Sequence, residues 1–421
     1  MKRLILLLAM IWLYITPAAS IAQEIERPRF LTKLQWRVQD DLAIALGKRQ
    51  EEGYGVWFYD ANLQPLRMLP FLPDQATILK WSPDGTRFLM GRDIVYTETF
   101  KVVASLPSQS LSLGDWSHDS TQLLAWVDRW KTTWLGFFDV EQGMFVRQIP
   151  VKNAIGDDSV FWSPDNRYFL RPYSDKPHEI ISADDGHLIS KLIREDHSYM
   201  GVFSWSPDGS YLAGSLIEEV ESDTPGILPD ALSPMIASVA VWDILTGEIV
   251  QFFSPLHDFV TAVTWHPYKP LLAVSTSASL IYVWNTETGR EITAFTLEDR
   301  VYGLTFSPFG GLLIASVSPI PDSYQAHILE QRKAFPQNDY WSQDYADGLL
   351  KVIVLDSSLE NLNDIESRCV PADVMAQLPD AATDIDAYIE AVQQNEAIAP
   401  ACAADLVAVA KALQDEETGN R

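Results

Sequence analysis

Val202-Phe203-Ser204-Trp205-Ser206-Pro207-Asp208-Gly209-Ser210-Tyr211-Leu212-Ala213-Gly214 is the stretch whose reading decides the fold. It reads as a β-hairpin. Trp205 closes one strand, Pro207 presets φ for the second position of a type I turn, Asp208 continues the turn, and Gly209 supplies the left-handed residue from which the second strand departs. The same cue stands at Trp81 to Gly85 and, with asparagine in place of glycine, at Trp162 to Asn166. Asparagine is the residue that next best tolerates the left-handed region.

Outward from this hairpin the pattern repeats along the chain. Aromatic landmarks at Trp36, Trp81, Trp116, Trp162, Trp205, Trp265 and Phe306 fall roughly 35 to 60 residues apart, bracketing the ~40–45 of a four-stranded propeller blade. Each is followed by apolar strands, such as Leu271 to Ser275 and Ile281-Tyr282-Val283-Trp284-Asn285, and several units then turn at Thr246-Gly247 or Thr288-Gly289. The units resemble WD-repeats. Trp242-Asp243 is the eponymous dipeptide, and Trp284-Asn285, Phe138-Asp139 and Tyr59-Asp60 are close relatives. The Gly-His dipeptide of that family is missing, His257 lies near the sixth copy, and Ser279 stands where its tight-turn aspartate belongs.

The resemblance implies an all-β fold, a seven-bladed β-propeller over residues 24–358 with a small C-terminal α-helical appendage, in a degenerate, bacterial-type exported member of the family. No outer strand is evident after Asp356, so Pro28 to Lys33 is expected to supply it and close the ring.

A chain of 421 residues with 47% apolar content and 14 tryptophans is folded, as several domains or one repeat array. Its formal charge of −26 argues against nucleic acid or anionic lipid as a partner, since both would be repelled. Residues 1–22 read as a secretory signal peptide: Lys2 and Arg3, an apolar run from Leu4 to Ile15, then Ser20-Ile21-Ala22 before the cut. The expected location is therefore exported: periplasmic, cell-surface or extracellular. No membrane span remains after leader cleavage, an uncleaved anchor being the alternative.

Two insertions break the spacing. One follows Leu216 and runs to about Ile236 with acidic residues and prolines; the other runs from about Pro319 to Asp347 and carries Tyr324, Phe335, Tyr340, Trp341 and Tyr345. Both fall between the second and third strands of their units, so both emerge on one face. Binding is usually built on loops held by a rigid scaffold, which makes these five aromatics candidates for contact with a partner, with Tyr340 and Trp341 as anchors. The alternative is that they fold back as a core of their own loop.

From Ser367 the β alternation gives way to helical spacing in a module at residues 367–416. Ile385, Tyr388, Ile389 and Val392 share a face, as do Leu406, Val409, Ala410 and Leu413; Thr383 with Asp386 reads as a capping box, and Pro400 begins a helix. Cys369 and Cys402 are the two cysteines of the chain and are expected to form a disulfide.

The motifs of metalloproteases, serine hydrolases, phosphate loops and EF-hands are missing. The scattered histidines and the pairs Asp157-Asp158 and Asp184-Asp185 read as turn and surface residues, so no catalytic residue, metal or cofactor is assigned. The reading is a non-enzymatic scaffold, monomeric by itself, that binds a protein or peptide on one propeller face. The alternatives are a propeller hydrolase or lactonase-like enzyme with its site at the central channel, and an accessory subunit of an envelope complex.

Overall fold

The Trp-Ser-Pro-Asp-Gly turn is held by its serine and its aspartate together. Ser206 Oγ donates to Asp208 Oδ1 at 2.6 Å and accepts from Tyr211 N at 2.9 Å, while Asp208 Oδ1 also accepts from Ser210 N at 3.1 Å. Gly209 then leaves with φ +71°. The arrangement recurs at Ser82 and Asp84, Ser117 and Asp119, and Ser163 and Asp165, each with a serine-to-aspartate distance of 2.5 to 2.6 Å. The left-handed residue there is Gly85, Ser120 or Asn166. Each box satisfies backbone donors that a tight turn would otherwise leave unpaired.

The computed structural model describes residues 28–37, 42–48, 54–71, 79–107, 110–129, 132–151, 161–171, 177–193, 198–219, 235–256, 259–318, 341–345 and 350–418. Six four-stranded antiparallel sheets follow one another as uninterrupted meanders, blades one to six, over residues 30–71, 79–105, 110–151, 161–191, 198–256 and 260–296. A further four-stranded sheet is made of Arg300–Phe306, Leu313–Ser318, Leu350–Val354 and Trp341–Tyr345 in that spatial order. First strands of neighbouring sheets touch one another, which sets them at the axis of a ring. Between successive sheets lie separate apolar cores. Phe58, Trp81 and Phe88 fill the first junction, Phe137, Trp162 and Phe169 the third, and Phe253 stacks on Trp284 at 4.6 Å in the fifth. A single sheet has two apolar faces and cannot bury both, so each is stable only between neighbours.

The expectation of seven equivalent propeller blades is corrected. Six blades have the repeat topology, whereas the last sheet is built differently: its outermost strand, Trp341–Tyr345, comes earlier in sequence than the strand it covers, Leu350–Val354. The insertion supplies that outer strand, so nothing is needed from the N-terminus. Phe30–Arg37 is instead the innermost strand of blade one, paired with Leu42–Lys48. The ring closes by side-chain packing rather than by a borrowed strand. Leu31, Trp36, Trp57 and Tyr59 of blade one share one core with Ile314, Leu350 and Val352 of the last sheet.

That closing core also receives the helices α1 (Leu359–Cys369), α2 (Ala372–Met375), α3 (Ile385–Gln394) and α4 (Pro400–Thr418). Ile365, Tyr388, Val392, Leu406 and Val409 point into it. Helical structure begins at Leu359, ahead of Ser367, because Ser358 caps α1 by accepting from Asn361 N at 3.1 Å. The α3 cap is Asp384, accepting from Ala387 N at 3.0 Å, rather than Thr383, whose hydroxyl donates to Asp380. Cys369 at the end of α1 and Cys402 on α4 are bridged, with Cα atoms 5.9 Å apart, inside the range a disulfide spans without strain.

Candidate functional site

Successive antiparallel strands put the connections of a blade alternately on two faces of the ring. Turns between first and second strands and between third and fourth strands share one face; connections between second and third strands share the other. On that second face blade five extends a long hairpin, Glu219 pairing with Met235. In the last sheet the chain leaves that face at Ser318 but re-enters at Trp341, whose pairing with Val354 puts it at the opposite end of the sheet. The expectation that both insertions stay on one face thus holds for blade five and is corrected for the last sheet. Of the aromatics singled out above, Tyr324, Phe335 and Tyr340 lie outside the described residues. The backbone of Trp341 pairs with Val354 and that of Tyr345 with Leu350, so these two belong to a strand rather than to a loop.

The opposite face is a belt of linked turns. Asp84 N donates to Ser120 Oγ of the next blade at 2.9 Å, and Arg87 Nη2 to Ser120 O at 3.2 Å. His118 N donates to Asn166 Oδ1 in the blade after. Burial raises the affinity of Asp84, Asp119, Asp165 and Asp208 for protons, but hydrogen bonds from the turn serines and backbone outweigh it and hold these carboxyls below the usual carboxylate value.

Blade six has His266 where blades two to five have serine. Its Nδ1 accepts from Tyr268 N at 3.0 Å and Lys269 N at 2.8 Å, and Nε2 donates to Gly310 O of the last sheet at 3.0 Å. Those partners require the neutral ring. Burial accordingly pushes its pKa down to about 4.

In the last sheet the turn aspartate is replaced by Phe309, and a carboxylate arrives from elsewhere. Asp405 of α4, only 1% exposed, accepts from Ser307 Oγ at 2.6 Å and Gly311 N at 2.9 Å. These are the two donors that Asp208 serves in its own turn. A side chain at Gly311 would leave no room for this approach, since its Cβ would stand 2.9 Å from both Asp405 Oδ2 and Ile365 Cδ1.

A second inter-blade feature lies at one register position on the fourth strands. Phe58 pairs with Arg67, Phe137 with Arg147, Ile180 with Ser190, Val241 with Gln251 and Val283 with Thr293, each just before a bulge. From there Arg147 lies over the Phe137 ring at 3.6 Å and donates to Ala183 O at 2.6 Å and Asp184 O at 2.9 Å in the next blade. Ser190 Oγ likewise donates to Ile244 O at 2.5 Å, Arg67 sits 3.0 Å from the Phe100 ring centre, and Gln251 lies against Gly289. Beside Thr293 a cleft of about 420 Å³ opens between blade six, the last sheet and the helices. The expectations above contain neither this cleft nor Asp405. The sequence trace of the first is Thr293 at a position where blades one, three and five carry Arg67, Arg147 and Gln251 and blades two and four the short Ala104 and Ser190; that of the second is Phe309 in an aspartate position.

Among the described residues there is no group of three or more histidine, cysteine, aspartate or glutamate side chains arranged to hold a metal ion. Nor, among them, is any helix long and apolar enough to cross a membrane.

Comparison with known proteins matches the WD domain, G-beta repeat pattern at residues 247–285, which run from the end of blade five through the third strand of blade six. The chain is similar to Minichromosome loss protein 1 of Schizosaccharomyces pombe, 26% identical over 29% of this chain and 12% of that protein. It is also similar to Protein HIR1 of Cryptococcus neoformans, 28% identical over 35% of this chain and 18% of that protein. The matched stretch is thus under a fifth of either relative. These matches correct the expected location. They lead to fungal proteins, one named for minichromosome loss, and away from an exported, periplasmic, cell-surface or extracellular protein of bacterial type. The leader reading rested on charge and a short apolar run at residues 1–22, which lie outside the described residues; such a run is a compositional feature shared by many buried segments.

Proposed function

We propose that this protein is a non-enzymatic interaction scaffold whose propeller holds a protein or peptide partner on the face bearing its two long excursions. The observation that carries this reading is the asymmetry of the two faces. On one, turn after turn is closed by its own serine, aspartate and backbone hydrogen bonds. On the other, rigid strands in blade five and the last sheet launch the segments at 220–234 and 319–340. A WD repeat in blade six and similarity to fungal relatives support a binding role over a catalytic one. In this reading Tyr324, Phe335 and Tyr345 supply the contact, Trp341 lying with Val354 at the other end of the last sheet. The formal charge of −26 turns the protein toward partners other than nucleic acid, and the ring and the helices that begin at Leu359 act together as a monomer.

The test places a photoreactive amino acid at position 324 of the full chain and identifies cross-linked proteins in a native extract, with Phe335→Ala and Tyr345→Ala as variants that weaken the contact. Loss of the cross-link in the variants, at unchanged melting temperature, supports the assignment. The same cross-linked set in wild type and variants removes these aromatics from the interface.

A further inference from the structure

The cleft beside Thr293 has a counterpart in the same molecule. Between blades three and four lies a groove, also of about 420 Å³, walled by Ser117, Phe137, Val146, Trp162 and Asn166, with Arg147 lying across it. Position by position, the cleft at the far junction is walled by His266, Val283, Ile292, Phe306 and Gly310. The residues that follow the third strand also correspond. Ala183 and Asp184, whose carbonyls receive the Arg147 guanidinium, have Leu355 and Asp356 as their equivalents, and both line the cleft. One member of the set differs in kind: where the first groove carries Arg147, the second carries Thr293, whose side chain ends at the γ position.

The charges at the cleft are suited to a cation. Asp356 and Glu416 stand on its wall with one cation, Lys269, which is held at one end by Asn361 Oδ1 at 2.9 Å and Asp356 Oδ2 at 3.5 Å. His266, the remaining titratable side chain there, is neutral. Two carboxylates against one tethered ammonium, on a chain of formal charge −26, favour an incoming positive group. Apolar flanks at Phe306 and Ile292 favour a flat, weakly hydrated one over a compact ammonium.

We propose that this cleft is a second binding site, distinct from the excursion face, which accepts the arginine side chain of a partner protein in the place that Arg147 fills from within at the other junction. The guanidinium lies over the apolar wall and donates to the carbonyls of Leu355 and Asp356 and to the carboxylates at the mouth. An intact partner would add neighbouring contacts to this anchor.

The test uses the full chain and two small probes, acetyl-arginine methylamide and its neutral isostere acetyl-citrulline methylamide. Binding is followed on the methyl resonances of Leu271, Leu313 and Val354, which line the cleft. Saturable shifts with the arginine probe, about tenfold weaker affinity for the citrulline probe, and a similar loss in Asp356→Asn/Glu416→Gln are expected. Thr293→Arg, which rebuilds the internal bridge, abolishes binding and leaves the melting temperature equal or raised. Equal affinity for the two probes, no shift at these methyls, or undiminished binding by a folded Thr293→Arg variant would overturn the proposal. A chain ending at Thr418 binds as the full chain does; tighter binding on that removal would give the cleft to the chain's own Arg421 instead of a partner.

Discussion

Asp405→Ala removes a carboxylate that belongs, by function, to a turn on another part of the chain. Ser307 Oγ and Gly311 N both point at Asp405 Oδ2, at 2.6 and 2.9 Å, in a place where the aspartate is 1% exposed and water has no ready access. A hydrogen bond to a charged acceptor contributes about 1.5–3 kcal/mol, and a buried donor left unpaired costs about 1–3 kcal/mol. Two donors affected together put the loss at about 3–5 kcal/mol. Asp208→Ala, in a turn open to solvent on one side, is expected to cost about 1–2 kcal/mol, because water can replace its carboxylate. Denaturant unfolding of both variants measures the difference. The decisive arm is a rescue: Phe309→Asp in the Asp405→Ala background restores the Ser-Pro-Asp-Gly turn found in blades two and five and should recover about half of the lost stability. Recovery is partial because Phe309 packs on the closing core. If the double variant is no more stable than Asp405→Ala alone, the carboxylate does not serve the turn and the reasoning fails.

Two further predictions concern the same region. Replacing both Cys369 and Cys402 by alanine opens a loop spanning 33 positions and should lower stability by about 4 kcal/mol on the chain-entropy account; a change under about 1 kcal/mol in urea unfolding would refute it. His266 has a folded-state pKa of about 4 against an unfolded value of 6.5, so the unfolded chain binds the extra proton first. Its contribution is therefore complete above pH 6.5 and is lost as pH falls toward 4, to a total of about 3 kcal/mol. His266→Ser, the residue that blades two to five carry at this position, should flatten the pH dependence of unfolding in that window; an unaltered slope would show that another group titrates there.

The parts of this fold that were legible were those with local causes. Trp205 to Gly214 folds as read because proline, aspartate and glycine each fix their own backbone angles, and the strand Leu271–Thr276 follows from a run of apolar residues buried between two sheets. Capping was nearly local, so its error was a single residue, Asp384 for Thr383. Strand order in the last sheet had no such cause. Trp-Ser-Gln-Asp-Tyr at 341–345 carries no alternating apolar pattern, and its place outside Leu350–Val354 is settled by which edge the ring leaves open.

Asp405 and Ser307 are separated by 98 positions, and no periodicity in either segment encodes their meeting. What does remain in the sequence at such sites is a vacancy in a repeat. Phe309 stands where an aspartate is due, and Thr293 where the third blade has Arg147. In the first case the structure shows the missing group arriving from α4, within the same chain. The repeat thus acts as its own reference: at Phe309 the departing unit has passed its contact to α4, whereas at His266 the departing residue accepts from the backbone of its own turn. Applied to Thr293, where a cleft with carboxylates at its mouth stands beside the departure, the Phe309 precedent directs attention to a group outside the chain.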